Sequence, residues 1–309
     1  MENEAKEKIY DLIIIGAGPA GLTAGIYAIR YLLNTKIIGK LPGGMISEAH
    51  RVCNFPTQNN ITGFELTKQL INHVKELKGE IKQEEVKEIK KNKVFEIKTN
   101  NLTYKAKKII LAIGTEKRKL NIKGEDKFLG KGVSYCATCD AAFFKNKIVA
   151  VVGGSNAALT AALLLTEYSK KVYIIYRKEN FFRAEPAWVK QVEKNKKIKL
   201  IFNANIKEIY GVNSVKGVKL NIKKDLKVDG VFIEIGSIPN EKILNQLRLK
   251  TEKGYIVVNK KQETSLDGVF AAGDITNNSL KQVITACGEG AIAANSVFEE
   301  IRRREDEFI

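Results

Sequence analysis

Residues 10–21 read Tyr-Asp-Leu-Ile-Ile-Ile-Gly-Ala-Gly-Pro-Ala-Gly, an apolar run that leads directly into a glycine-rich turn. The apolar part, Tyr10–Ile15, is typical of a central parallel strand that is buried on both faces. The residues after the turn, from about Pro19 to Ile29, are rich in alanine and predict a helix. A strand, a glycine turn and a helix in this order predict the first half of a dinucleotide-binding unit.

Each glycine of this turn has a distinct task in such a unit. The first permits the tight bend, the second lets the backbone approach a pyrophosphate, and the third allows close packing of the helix against the strand. The N-terminus of the helix then stabilises the negative charge of the pyrophosphate. We therefore predict that five residues of this segment bind a nucleotide: Gly16, Gly18, Pro19, Ala20 and Gly21.

The same pattern occurs a second time in the middle of the chain. Residues 147–152 read as a strand, a glycine turn follows, a helix extends to about Tyr168, and residues 171–176 read as the next strand. Two such patterns predict two nucleotide sites. Cations after the second strand are typical of a site for the 2′-phosphate of NADP, so we expect NADPH to be preferred over NADH. The residues predicted to form this site are Gly153, Ser155, Asn156, Ala157, Arg177, Lys178 and Arg183.

The order of these patterns predicts an α/β fold with two Rossmann-like, three-layer nucleotide-binding domains, the second inserted into the first. We expect the first domain to be discontinuous, with residues 1–115 and 241–309, and the second to cover residues 116–240. Alternating apolar and charged residues over about 80–104 and 198–223 predict a half-exposed antiparallel sheet in each domain.

Cysteines mark a redox centre in the second domain. Cys136-Ala137-Thr138-Cys139 places two thiols three residues apart, which in an α/β protein is a redox signal. A thiolate is the nucleophile in disulfide exchange, and its pKa falls at a helix N-terminus. Asp140 follows directly and is suited to carry a proton to a leaving thiolate. The catalytic residues predicted from this run are Cys136, Cys139 and Asp140.

A zinc site is the main alternative for the cysteine pair. A structural zinc ion needs about four ligands. Outside the pair, the chain offers only two histidines and two other cysteines, and none of them forms a second close pair. We therefore predict that the protein holds no metal.

Composition excludes several classes of function. The chain has 309 residues, with 52 Lys and Arg against 35 Asp and Glu, and a formal net charge of +17. The lysines are spread along the whole chain without a helix-turn-helix or zinc-finger pattern, so specific nucleic-acid binding is not expected. The positive charge instead favours an acidic protein partner through electrostatic steering. No apolar run reaches the ~18 residues that span a bilayer, and the polar, acidic start is unlike a signal peptide. We expect a cytoplasmic protein that does not enter membranes.

Together these segments resemble the low-molecular-weight thioredoxin reductase family over nearly the whole chain. The resemblance rests on the first glycine turn, Gly43-Gly44, Asn54, the run Cys136–Asp140, and Val269–Asp274 followed by Lys281-Gln282. It implies that NADPH reduces FAD, that FAD reduces the cysteine pair, and that the pair reduces thioredoxin or a glutaredoxin-like protein in a homodimeric enzyme. The discontinuous domain would then bind FAD and the inserted one NAD(P)H. Further flavin contacts implied by the resemblance are Gly43, Gly44, Asn54, Gly114, Gly273, Asp274, Lys281, Gln282 and Val283.

Some positions depart from the family pattern. Ser155 stands in place of the third glycine of the second turn, and one extra residue precedes Arg183. Both changes affect the site of the electron donor, so ferredoxin or a deazaflavin stays an alternative to NADPH. A flavoprotein that senses redox state without turnover is a further alternative, and the intact cysteine pair argues against it. By the resemblance, Cys139 lies nearer the flavin and Cys136 nearer the partner protein.

Overall fold

The chain forms two compact units in a computed structural model that describes residues 8–222 and 225–306. The discontinuous unit comprises the chain up to Glu116 and again from Pro239 onward, and the inserted unit is Lys117–Ile238. This α/β architecture is the fold class that the sequence predicts. Some predicted segments lie outside the described residues. These are the two termini of the first domain, residues 1–7 and 307–309, and Lys223, the last residue of the second predicted antiparallel region.

The elements follow one another along the chain with short connections. The helices are α1 (Pro19–Arg30), α2 (Gly63–Glu76), α3 (Ala137–Asp140), α4 (Asn156–Tyr168), α5 (Pro186–Lys194), α6 (Glu241–Leu247) and α7 (Val283–Asp306), with 3-10 turns at Met45–Glu48 and Ala141–Phe144. The strands are β1 (Ile9–Ile15), β2 (Thr35–Ile38), β3 (Glu80–Lys82), β4 (Val86–Lys91), β5 (Phe95–Thr99), β6 (Thr103–Leu111), β7 (Thr115–Lys117), β8 (Val133–Ser134), β9 (Ile148–Val152), β10 (Lys171–Ile175), β11 (Ile198–Ile201), β12 (Ile206–Gly211), β13 (Val215–Leu220), β14 (Asp225–Leu226), β15 (Gly230–Ile233), β16 (Ser237–Pro239), β17 (Thr251–Glu252), β18 (Tyr255–Ile256) and β19 (Val269–Ala271).

The discontinuous unit is built on a seven-stranded sheet in the order β3-β2-β1-β6-β5-β4, with β19 also paired to β6. The strands β3, β2, β1, β6 and β19 are mutually parallel, whereas β4 and β5 form an antiparallel extension. Leu12, Ile13 and Ile14 of β1 are fully buried, as expected for a strand covered on both faces. The carboxyl ends of β1, β6 and β19 therefore lie at one edge of the sheet, which is where ligands bind in folds of this kind.

The inserted unit repeats this design with a five-stranded parallel sheet in the order β11-β10-β9-β15-β8. Helix α4 lies on one face, where Leu159 and Leu165 are fully buried. A small antiparallel sheet, β12-β13-β14, contributes Val218 and other apolar side chains to the core of the opposite face. Within residues 8–222 and 225–306, no helix is both long enough and apolar enough to cross a membrane.

Two segments differ from the sequence-based expectation. Residues 80–82 and 198–201 were predicted to begin antiparallel sheets, but β3 pairs in parallel with β2, and β11 pairs in parallel with β10. Each of these strands follows a helix, α2 or α5, which returns the chain to the same end of the sheet. A helical crossover makes the next strand parallel, and alternation of apolar residues cannot reveal this.

Candidate active site

The first glycine turn joins β1 to α1 so closely that side chains are excluded. Gly16 has a φ of +118°, and a Cβ there would lie 2.0 Å from the carbonyl oxygen of Ala112. A Cβ on Gly21 would lie 1.9 Å from the carbonyl oxygen of Gly16. Helix α1 begins with Pro19, and its N-cap, Gly18, offers no side chain to cap it. The first N–H groups of the helix are thus oriented toward any phosphate at this place.

Gly43 and Gly44 lie directly against this turn. The N–H of Gly43 donates to the carbonyl of Ala17 at 2.7 Å. A Cβ on Gly44 would lie 2.9 Å from the Cα of Gly18. Two backbone segments without side chains therefore face each other, which leaves room for a pyrophosphate to approach the backbone. A cradle of this kind is suited to a pyrophosphate, as the predicted FAD site requires.

The C-terminal segment reaches the same edge of the sheet through β19. Gly273 and Asp274 follow this strand, while Gly114 follows β6, to which β19 is paired. Burial raises the pKa of the Asp274 carboxyl, the positive charge of Lys281 opposes this rise, and the charge of Glu289 adds to it. The structure thus brings three of the predicted flavin-binding positions, Gly273, Asp274 and Lys281, together with a carboxylate that the sequence did not single out.

That carboxylate belongs to Glu289 of α7, a side chain only 8% exposed. It accepts a hydrogen bond from the N–H of Gly273 at 2.7 Å and another from the hydroxyl of Thr276 at 3.2 Å. The Nζ of Lys281 donates to the carbonyl of Thr276. The turn that carries Asp274 is therefore held by α7 on one side and by Lys281 on the other. A glutamate in an amphipathic helix resembles a surface residue in sequence, so no sequence pattern marked this role.

Asn54 and Gln282, two further predicted flavin contacts, touch each other. The Nδ2 of Asn54 donates to the Oε1 of Gln282 at 2.9 Å. Gln282 directly precedes Val283, the first residue of α7. Cys53, beside Asn54, is a free and exposed thiol. The residues predicted at the two ends of the chain to bind one cofactor thus lie together within the discontinuous unit.

The second glycine turn has the same construction in the inserted unit. Gly153 has a φ of +142°, and a Cβ there would lie 2.1 Å from the carbonyl oxygen of Glu234. Ser155 is the N-cap of α4, yet its hydroxyl does not cap the helix, so the first turn of α4, with Asn156 and Ala157, keeps its N–H groups directed outward. Because Ser155 adds a side chain where the backbone should approach the pyrophosphate, we predict weaker nucleotide binding than is usual for the family.

An aromatic cluster lies between this turn and the predicted cations. The ring of Tyr176 covers Gly154, where a Cβ would lie 2.5 Å from ring atoms, and it stacks on Phe181 with ring centres 5.9 Å apart. The side chains of Arg177 and Lys178, which follow Tyr176, are exposed. The guanidinium of Arg183 is also exposed and lies 5.5 Å from the centre of the Phe182 ring. All three cations are therefore accessible to a phosphate.

The redox pair lies at the start of the short helix α3. Cys136 and Cys139 form a disulfide with their Cα atoms 5.4 Å apart. Cys136 is the N-cap residue, and its Sγ accepts a hydrogen bond from the N–H of Cys139 at 3.1 Å. The hydroxyl of Ser134 accepts from the N–H of Cys136 at 3.0 Å and fixes its backbone. Asp140 ends the helix. An N–H aimed at sulfur at a helix N-terminus stabilises a thiolate.

The redox pair and the second glycine turn share one edge of the same sheet. Cys136 follows β8, and Gly153 follows β9, with only β15 between these two strands. All three strands are parallel, so their carboxyl ends are at the same edge. The strands β8 and β9 are therefore two strand spacings apart, which is about 10 Å. A dithiol and a nucleotide site thus belong to one compact unit.

The chain belongs to the pyridine nucleotide-disulphide oxidoreductase family, whose sequence profile matches residues 10–290. The protein is similar to the thioredoxin reductase of Bacillus subtilis (strain 168), with 40% identity over 301 residues that cover 95% of each chain. Its fold matches the crystal structure of Lactococcus lactis thioredoxin reductase with a TM-score of 0.92 and 32% identity, covering 95% of this chain and 99% of that one. It also matches the crystal structure of T. acidophilum thioredoxin reductase, with a TM-score of 0.89 and 39% identity, covering 95% of this chain and 99% of that one.

These similarities confirm the family that the sequence resembles. The protein is an FAD-dependent oxidoreductase, and FAD and NADPH are the cofactors of its family. The individual contacts assigned to each cofactor stay predictions, supported by the backbone cradle at Gly18 and Gly44 and by the uncapped start of α4.

Proposed function

We propose that the protein is a thioredoxin-disulfide reductase, in which electrons pass from NADPH through FAD to Cys136 and Cys139 and then to the disulfide of a thioredoxin-like protein. The observation that carries this proposal is the disulfide at the N-terminus of α3, beside the second glycine turn. The names of the similar proteins support it. A glutaredoxin-like protein is the alternative partner of the same chemistry.

The residues of the redox pair perform the second half of the reaction. When bound, FAD would supply the two electrons that, with two protons, convert the Cys136–Cys139 disulfide into two thiols. The N–H of Cys139 then favours the thiolate of Cys136, which makes Cys136 the better nucleophile toward a partner. Attack breaks the partner disulfide and forms a mixed disulfide with Cys136. Cys139 attacks that bond, and the partner leaves with two thiols and the two protons.

Asp140 has the proton-transfer role in this sequence of steps. Its N–H donates to the carbonyl of Cys136 at 3.2 Å, so its backbone is held one residue beyond Cys139. A carboxylate at this place can take the proton of one thiol and return it to the leaving thiolate. This assignment gives all three predicted catalytic residues a part in one exchange reaction.

The remaining properties of the enzyme follow from this proposal. We expect a homodimer, as the family resemblance implies, without membrane association or specific nucleic-acid binding. A cytoplasmic location suits the reaction, because thioredoxin and glutathione keep cytosolic thiols reduced. The net charge of +17 favours an acidic partner protein through electrostatic steering.

Two measurements on the purified holoenzyme test the proposal. NADPH added anaerobically should bleach the flavin absorbance, and the enzyme should then reduce a thioredoxin disulfide in repeated turnovers. In Cys136→Ser and Cys139→Ser, bleaching should persist while turnover is lost, because either change removes the dithiol but leaves the nucleotide sites intact. Turnover in a variant that carries both Cys136→Ser and Cys139→Ser would exclude the dithiol mechanism. Bleaching by dithionite but by neither nucleotide would replace NADPH with ferredoxin or a deazaflavin as the donor.

A further inference from the structure

Asn156 and Glu185 are joined by two reciprocal hydrogen bonds. The Nδ2 of Asn156 donates to the Oε1 of Glu185 at 2.8 Å, and the N–H of Glu185 donates to the Oδ1 of Asn156 at 2.7 Å. Asn156 is the first residue of α4, directly after the second glycine turn, and Glu185 is the N-cap of α5. The amide nitrogen and the amide oxygen of Asn156 thus both bind Glu185, which lies 29 positions further along the chain.

The side chain of Glu185 serves this contact and not its own helix. An N-cap position is normally occupied by Ser, Thr, Asp or Asn, whose short side chain accepts from the first turn. Glu185 makes no such capping bond to α5. Its carbonyl does start that helix, since it accepts from the N–H of Trp188 at 3.0 Å and of Val189 at 3.2 Å. Fixing Glu185 to Asn156 therefore fixes the start of α5 relative to the start of α4.

This contact determines where the extra residue before Arg183 is accommodated. Tyr176 is held at the end of β10, because its N–H donates to the carbonyl of Ile201 at 2.9 Å. Glu185 is held at α4. The additional length must then be taken up between these two fixed points, in the bends of residues 177–183. Arg183 lies only two residues before the anchored Glu185, so its backbone stays close to the start of α4 in spite of the longer loop.

We propose that Glu185 is a positioning residue for the nucleotide site: through Asn156 it holds Arg183 where the guanidinium meets the 2′-phosphate of NADPH, and so it sets the preference for NADPH over NADH. The inference deepens the proposed function, since it requires NADPH to be the donor. The extra residue before Arg183 is then compatible with a contact between its guanidinium and the 2′-phosphate. Glu185 itself contacts no phosphate, because a carboxylate repels one; its effect passes through the backbone to Arg183.

Direct binding of two adenine nucleotides to the oxidised holoenzyme tests this role without turnover. The probes are 2′,5′-ADP, which carries the 2′-phosphate, and 5′-AMP, which lacks it, each titrated by calorimetry. Glu185→Ala should weaken 2′,5′-ADP roughly tenfold, in line with a weakened charge-assisted hydrogen bond to phosphate, and leave 5′-AMP unchanged. Glu185→Gln retains an oxygen that accepts from Asn156, so it should bind 2′,5′-ADP as the wild type does. Glu193→Ala, an equal change of charge at an exposed position of α5, is the matched control.

The variants also separate positioning from general damage. In an Arg183→Ala background, Glu185→Ala should cause no further loss of 2′,5′-ADP affinity, because the residue it positions is absent. Equal weakening of both nucleotides, an additive loss in the double variant, or unchanged binding in Glu185→Ala would each overturn the proposal. If the wild type binds 2′,5′-ADP no more tightly than 5′-AMP, both this inference and NADPH as the donor fail. If the wild type shows the preference and the variants keep it, only the role of Glu185 fails.

Discussion

The phenolic oxygen of Tyr135 donates a hydrogen bond to the carboxylate of Glu125, a side chain only 2% exposed. The same carboxylate accepts from the N–H groups of Leu120 at 2.8 Å and Asn121 at 2.6 Å. Burial raises the pKa of Tyr135, and the hydrogen bond to Glu125 raises it further, so the phenol stays a donor at neutral pH. Tyr135 directly precedes Cys136. Glu125 therefore anchors the segment from which the redox pair projects.

Removal of this anchor should destabilise the protein. Glu125→Ala deprives three N–H groups and one phenol of their acceptor, and we expect the free energy of unfolding to fall by roughly 3 kcal/mol. Tyr135→Phe removes one donor and should lower it by about 1 kcal/mol. Urea denaturation of the holoenzyme measures both effects. The two losses should not add in the double variant, since they share one hydrogen bond. Equal urea midpoints for Glu125→Ala and Tyr135→Phe would contradict this account.

Asp140 should affect the thiol step alone. We expect Asp140→Asn to slow reduction of a protein disulfide roughly tenfold or more, the usual magnitude for loss of a general acid or base. FAD content and the rate of flavin bleaching should not change. Stopped-flow measurement of each half-reaction separates the two steps. Asp126→Asn, in the same unit but paired with Lys119 at the surface, serves as the control. An unchanged thiol step in Asp140→Asn would remove this residue from the mechanism.

Glu289 should be required for a tightly bound flavin. Glu289→Ala removes the acceptor for Gly273 and Thr276, which releases the turn that carries Asp274. We expect the Kd for FAD to rise at least about tenfold, because hydrogen bonds to a charged group are worth ~1.5–3 kcal/mol. The Kd is measured from the quenching of flavin fluorescence when FAD is added to the apoprotein. Glu299→Ala, at a half-exposed site in the same helix, should leave the Kd unchanged. A similar Kd in both variants would show that Glu289 does not hold the flavin turn.

Local patterns made most of the fold predictable from the sequence. The strand, turn and helix at β1 and α1 are neighbours in the chain, and a backbone that admits no side chain at Gly16 leaves a clear signature. The redox pair was recognisable for the same reason, since Cys136 and Cys139 lie within one turn of a helix. The parallel direction of β3 and β11 was not predictable, because it depends on how a preceding helix returns the chain.

Contacts between distant residues account for what the sequence could not reveal. Glu289 meets Gly273 only because α7 packs beside β19, and the glutamate carries no motif of its own. The pairing of Asn156 with Glu185 likewise requires α4 and α5 to be placed first. In both cases an ordinary polar residue acquires its role from burial or from a partner far along the chain. Pattern analysis can name such residues but cannot pair them.

The last prediction is that ionisation of the buried Asp274 carboxyl lowers the stability of the apoprotein. Burial raises the pKa of its carboxyl, an effect larger than the opposing attraction to Lys281. Between its unfolded and folded pKa values the native state binds more protons, so the free energy of unfolding falls as pH rises through this window and stays lower at neutral pH. Asp274→Asn removes the ionisation. The apoprotein variant should therefore have a higher urea midpoint than the wild type at pH 7, and the difference should shrink as pH falls below the ordinary pKa of Asp, about 4. FAD affinity should fall in the same variant, because the family resemblance places Asp274 among the flavin contacts. A lower midpoint for Asp274→Asn at pH 7 would mean that attraction to Lys281 outweighs burial.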